Sequence, residues 1–141
     1  MKLEVAQKIL AATLAAARSR NMLPLAVAVL DARGSPRALA AEDGTSLRRS
    51  DIATGKAHGA LAMGLGSRTL AKRAETHPHF IAAVTHAVGG SLIPVPGGVL
   101  IREASGALLG AVGVSGDTSD NDESAAIAGI EAAGLKADPG A

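Results

Sequence analysis

The segment Leu25-Ala26-Val27-Ala28-Val29-Leu30-Asp31-Ala32-Arg33-Gly34-Ser35-Pro36-Arg37-Ala38-Leu39-Ala40-Ala41 joins an uninterrupted apolar run to a turn and a second, more mixed run. Leu25 to Leu30 is a short apolar stretch bounded by turn signals, so it reads as a strand covered on both faces. Asp31 to Pro36 is turn chemistry. Arg37 to Ala41 returns as the second strand of a hairpin, and Glu42-Asp43-Gly44 closes it. So short a connection implies antiparallel pairing.

On the N-terminal side, Leu3, Ala6, Ile9, Leu10, Thr13, Leu14 and Ala17 share one helical face. They predict an amphipathic helix over 3–20, ended by Asn21 and Pro24. On the C-terminal side, 46–64 reads as a helix capped by Ser46 or Ser50, and 67–74 as a short basic helical piece. Pro78 suits the first turn of a helix running to about Val88, and Gly89-Gly90 ends it. Three strands are expected next, at 91–95, 99–102 and 107–114, with turns at Pro96-Gly97-Gly98 and Ala104-Ser105-Gly106. A last helix follows Thr118, capped by Ser119 or Asp120, with Asp122 and Glu123 in its first turn. Residues 137–141 read as a loose tail. The order predicts one α+β layered domain over 1–141, with five antiparallel strands flanked by helices.

The 141 residues suffice to bury about 70% of the unfolded surface. Without cysteine there is no disulfide, thiol catalysis or thiolate metal site. The residues are 48% hydrophobic, yet Phe80 is the sole aromatic, which argues against aromatic cages and base-stacking platforms. A net charge of +1 points to neither nucleic acid nor an anionic membrane as partner. No apolar run could span a bilayer. The charged N-terminus lacks the apolar core of a secretory signal, so a cytoplasmic protein is expected.

Several residues stand out chemically. Lys56 shares a mostly apolar helical stripe with Arg49, Ile52, Ala53, Ala60 and Met63. An unpaired ammonium there is costly. It is either a snorkelling lysine or, with Arg49, lines a pocket that holds a carboxylate or enolate. Asp31 is the carboxylate expected to pair with Lys56 in the empty protein. His77 and His79 flank Pro78 in a corner beside Phe80 and the basic piece, where a ligand role competes with a surface one. His58 and His86 read as surface or cap histidines. With no H-x-x-x-H or H-E-x-x-H pair, no dedicated metal site is expected. Gly97 and Gly98 either bring backbone amides close to a ligand or make a tight turn, and the two prolines place that hairpin at a sheet edge or pocket rim. The series Gly110-x-x-Gly113-x-x-Gly116 resembles a nucleotide loop only loosely, lacking G-x-G-x-x-G and G-x-x-x-x-G-K-[ST], and Gly110 and Gly113 read instead as permitting close helix-on-sheet packing. Ser115 and Gly116 belong to a turn whose amides could face a ligand at a helix N-terminus.

Five pieces carry a family resemblance: Ala28-Val29-Leu30-Asp31 with its Gly34 turn; Ser50-Asp51-Ile52-Ala53-x-x-Lys56-Ala57; Gly89-Gly90; Pro94-Val95-Pro96-Gly97-Gly98; and Gly110-Ala111-Val112-Gly113-Val114-Ser115-Gly116 before Asp120-x-Asp122-Glu123. In order and spacing the chain resembles the GlcG/HbpS-type family over roughly residues 3–135. A related domain ends the PduO-type cobalamin adenosyltransferases. The resemblance implies a profilin-like α/β/α fold, homo-oligomers from dimers to octamers, and haem as the cofactor in some members. Some members ligate iron through a histidine on the first helix. Residues 3–20 contain none, so His77 or His79, or a weaker oxygen ligand, would hold the iron here.

The expected function is a small-ligand-binding protein, with haem as the ligand that the resemblance implies. Its anion-holding pocket would be lined by Arg49, Lys56, His77, His79, Phe80 and the hairpin of Pro96, Gly97 and Gly98, with Ser115 and Gly116 nearby. One alternative is a cofactor-free enzyme (isomerase, lyase or hydrolase type) acting on a small oxo-acid or unsaturated lactone. Lys56 or His77 would then be the general acid/base and Arg49 would hold the substrate. A second alternative is an oligomeric accessory protein without ligand chemistry.

Overall fold

The computed structural model describes residues 1–141. Helix α1 (Leu3–Ser19) leads into a hairpin of β1 (Ala26–Asp31) and β2 (Pro36–Ala41). Three helices follow: α2 (Arg49–Met63), α3 (Ser67–Thr76) and α4 (Pro78–Ala87). Strands β3 (Gly98–Arg102) and β4 (Leu108–Ser115), helix α5 (Ser119–Ala132) and strand β5 (Lys136–Asp138) complete the chain. The sheet has the order β2-β1-β4-β3-β5, antiparallel throughout. This is the expected α+β layered fold.

Two expected strand assignments change. Residues 91–95 form no strand. Pro94 and Pro96 lack the amide hydrogens a ladder needs, and Leu92 and Ile93 pack instead against Gly59 and Gly55 on the outer side of α2. The expected loose tail supplies the fifth strand. Lys136–Asp138 pairs with β3, and Asp138 forms an ion pair with Arg102. Consequently β3 lies inside the sheet between β4 and β5, and the turn before it is not at an edge.

Alternation along each strand divides the residues between two layers. Val27, Val29, Val99, Ile101, Val112 and Val114 meet Ile9 of α1 and Ile130 of α5 in the main core. The opposite face offers Ala26, Ala28, Leu30, Leu100 and Ala111 to Ala53, Ala57 and Ala60 of α2. There the backbones nearly touch: a Cβ on Gly113 would collide with the Ala53 carbonyl, and one on Gly98 with the Lys56 carbonyl. Gly110 answers to a different neighbour, the carbonyl of Leu30 on the adjacent strand. Outside α2, Leu70 of α3, Ile81 of α4 and Leu92 form a small separate cluster.

The helix caps also differ from expectation. Neither Ser46 nor Ser50 caps α2, which begins after Arg48 without a side-chain cap. Helix α5 is capped by Thr118, whose hydroxyl accepts from the Asn121 amide.

Candidate functional site

Lys56 lies on the side of α2 that faces the sheet, at the end where β4 runs into α5. Its ammonium donates to the Val114 carbonyl at 2.9 Å and to Asp122 Oδ2 at 3.1 Å. The two side chains are 3% and 2% exposed, so the pair is sealed from solvent. Gly97 closes over it, since a Cβ there would stand 2.9 Å from Lys56 Nζ. The other Asp122 oxygen accepts from the Asp117 amide at 2.9 Å.

Burial holds the Lys56 pKa below its usual value against the pull of Asp122, and the Arg49 charge adds to the lowering. Burial likewise raises Asp122 above the usual carboxylate range, opposed by Lys56. The partner is thus Asp122, not Asp31. Asp31 is committed to its own turn, accepting from the Arg33 and Ser35 amides at 2.9 and 3.1 Å. The Ser35 bond is the main cause of its lowered pKa. A sealed ammonium with both of these partners in place has no open face toward a substrate.

Arg49, at the first turn of α2, donates from Nη1 to the buried Ser115 hydroxyl at 3.1 Å. It lines a cleft of about 220 Å³ with Leu23, Pro24, Gly44, Thr45, Ser46 and Gly116. Arg49, Ser115 and Gly116 are therefore brought together, close to Lys56 and Gly97. Gly98 donates its amide to the Ser67 hydroxyl at the start of α3. Pro96 is half-buried and lines none of the cavities.

His77 and Phe80 lie elsewhere, in a second cleft of about 300 Å³ shared with Arg73 and Thr76 where α3 meets α4. Arg73 and His77 are four residues apart, one helical turn. His77 Nδ1 is 2.8 Å from the Thr76 hydroxyl oxygen, and that hydroxyl donates to the Lys72 carbonyl. In the Nδ1–H tautomer the hydroxyl accepts from His77 and Nε2 keeps its lone pair; in the other tautomer the hydroxyl donates to Nδ1. His79 is exposed on α4 and lines neither cleft. His58 holds the Ser91 carbonyl, tying α2 to the strap over it. No group of three or more His, Asp or Glu stands together as a metal cage.

Sequence reasoning missed the Arg68 cluster. Arg68 Nε reaches both Glu123 oxygens at 3.0 and 3.1 Å, and its Nη2 reaches Asp120. The bonds to Glu123 and then Asp120 raise its pKa further and tie α3 to α5. The signal was present as a basic α3 start and an acidic first turn of α5, residues far apart in the chain.

A model of the family described as "Haem degrading protein HbpS-like" matches residues 1–131. A double mutant of HbpS from Streptomyces reticuli is 30% identical with a TM-score of 0.78, over 93% of this chain and 85% of that one. A PduOC:heme complex superposes with a TM-score of 0.84 at 22% identity, over 96% of both chains. The Klebsiella pneumoniae protein ORFY gives 0.83 at 23% identity, over 95% of this chain and 90% of that one. No curated protein matches. At such identities the last two likenesses concern the fold alone.

Proposed function

Because the chain belongs to the HbpS-like family, we propose that it binds haem at the corner of α3 and α4, with His77 as the iron ligand. The observation that carries this reading is the Thr76 hydrogen bond. With the Thr76 hydroxyl turned to the Lys72 carbonyl, His77 Nδ1–H donates to it and Nε2 is left for a metal, the second ring nitrogen being hydrogen-bonded as in ligating histidines. Arg73 lines the same cleft and suits a propionate carboxylate. Phe80, 47% exposed, offers apolar surface to a porphyrin edge. A bound haem would supply a redox-active iron; the chain itself supplies the donor, the cation and the apolar wall. His79, two residues on, does not share this cleft and is left out of the proposed site.

A cleft of about 300 Å³ is at the small end of ligand pockets, so one protomer covers a macrocycle only in part. Self-association is part of the proposal. Helix α4 buries only Ile81 and exposes Phe80, Ala82, Ala83 and Ala87. Light scattering should give a mass above the 13.9 kDa of one chain.

Hemin titration is the test. With no Trp or Tyr the protein absorbs little at 280 nm, so a bound chromophore dominates the whole spectrum. The expected result is a saturable Soret shift that His77→Ala weakens by at least about tenfold, the worth of one strong contact, and His79→Ala leaves unchanged. An unaltered shift in His77→Ala overturns the assignment. No helix is long and apolar enough to cross a membrane.

A further inference from the structure

We infer that the cleft beside the first turn of α2 binds a small carboxylate through the Arg49 guanidinium, independently of the haem site. Three arginines are half-buried: Arg49, Arg68 and Arg102. Arg68 is paired with Asp120 and Glu123, and Arg102 with Asp138. Arg49 has no carboxylate within ion-pair distance; its one hydrogen-bond partner is the neutral Ser115 hydroxyl. A partly desolvated cation without a counter-charge is an unfavourable arrangement that an incoming anion relieves.

The surroundings point the same way. Of five cavities, only this one and the His77 cleft are lined by a cation without a carboxylate. A guanidinium has five N–H donors in a planar fork, and Ser115 occupies one of them. The remainder permit the two-point grip that a carboxylate accepts. Thr45 spends its hydroxyl proton on the Glu42 carbonyl, whereas the Ser46 hydroxyl, on the same wall, makes no bond within the chain. Asp117, next to Gly116 in sequence, is fully engaged by the Leu23 and Thr118 amides and the Asn121 side chain, and does not line the cleft. At about 220 Å³ the space falls below the usual range for drug-sized ligands, so the ligand is a short-chain acid.

Isothermal titration with acetate, oxalate and inorganic phosphate, at matched ionic strength, tests this on the intact chain. Saturable binding of a carboxylate is expected, weakened at least about tenfold in Arg49→Gln. Binding should be unchanged in Arg48→Gln, whose side chain is 77% exposed and already paired with Asp51. A melting curve confirms that Arg49→Gln folds; should it fail to, Ser46→Ala serves as the second variant, with weakened binding expected. His77→Ala should bind the carboxylate as the wild type does, which separates failure here from failure of the haem reading. No binding by the wild-type chain, equal binding by a folded Arg49→Gln, or binding of phosphate alone overturns the inference.

Discussion

The two faces of the sheet are packed by different rules. Along β4, Val112 and Val114 fill space toward α1 and α5, while Ala111, Gly113 and Ser115 let α2 come in close. Strand β1 repeats the division with Val27 and Val29 against Ala26 and Ala28. On the aliphatic face, side chains meet side chains, and a lost methylene leaves a small void. On the α2 face, at Gly98 and Gly113, backbone meets backbone, and there is no side chain to move aside. The polar groups Lys56, Asp122, Ser115 and Arg49 gather at one end of this second face. An α2 held that close is what keeps water from Lys56.

The largest effect is expected from adding one methyl group on the α2 face. Gly113→Ala sets a Cβ against the Ala53 carbonyl, so α2 must lift from the sheet. A loss above about 4 kcal/mol is expected, in the exceptional range for one substitution. Next is Lys56→Met, which strands a buried carboxylate and should cost about 3–5 kcal/mol. The defect should shrink as the pH falls, because Asp122, its pKa already raised by burial, takes up a proton more readily in the folded state. Lys56→Met with Asp122→Asn should recover part of the loss in denaturant titrations. Val112→Ala, one residue from Gly113 on the aliphatic face, should cost only about 2–3 kcal/mol, two methylenes and a partly collapsed void.

The smallest effect concerns acid. The Asp31 and Asp117 pKa values are lowered from the usual 3.8, chiefly by bonds from the Ser35 and Leu23 amides. Their stabilisation is therefore complete above that value and lost as the pH falls through the folded-state pKa. Asp31→Asn should be slightly less stable than wild type near neutrality, and the difference should vanish in strong acid.

The hairpin of β1 and β2 was legible because its period and turn are local. So were α1, α3 and α4. The fifth strand was not: Lys136-Ala137-Asp138 has no apolar alternation, and only pairing with β3 and the Arg102 ion pair mark it. The 91–95 segment carried an apolar pattern that suits a strap over Gly55 and Gly59 as well as a strand. Lys56 was recognisable as a buried cation, yet its partner was misassigned. Asp31 ends β1 and Asp122 lies in the first turn of α5, and local spacing does not rank contacts between distant elements. Asp122 also resembled an ordinary first-turn acid of α5. Gly113 read correctly as a glycine that lets a helix approach the sheet, whereas Gly110 answers to the Leu30 carbonyl of the neighbouring strand and not to a helix.

In the proposed reading haem binds at the α3–α4 corner, while Lys56 and Asp122 hold the fold. Hemin affinity compared in His77→Ala and in Lys56→Met/Asp122→Asn, each first shown to be folded, tests it most directly. The single change at His77 should weaken the Soret response at least about tenfold, and the buried double variant should retain it. The reverse pattern, with binding kept in His77→Ala and lost in the folded double variant, would contradict that reading.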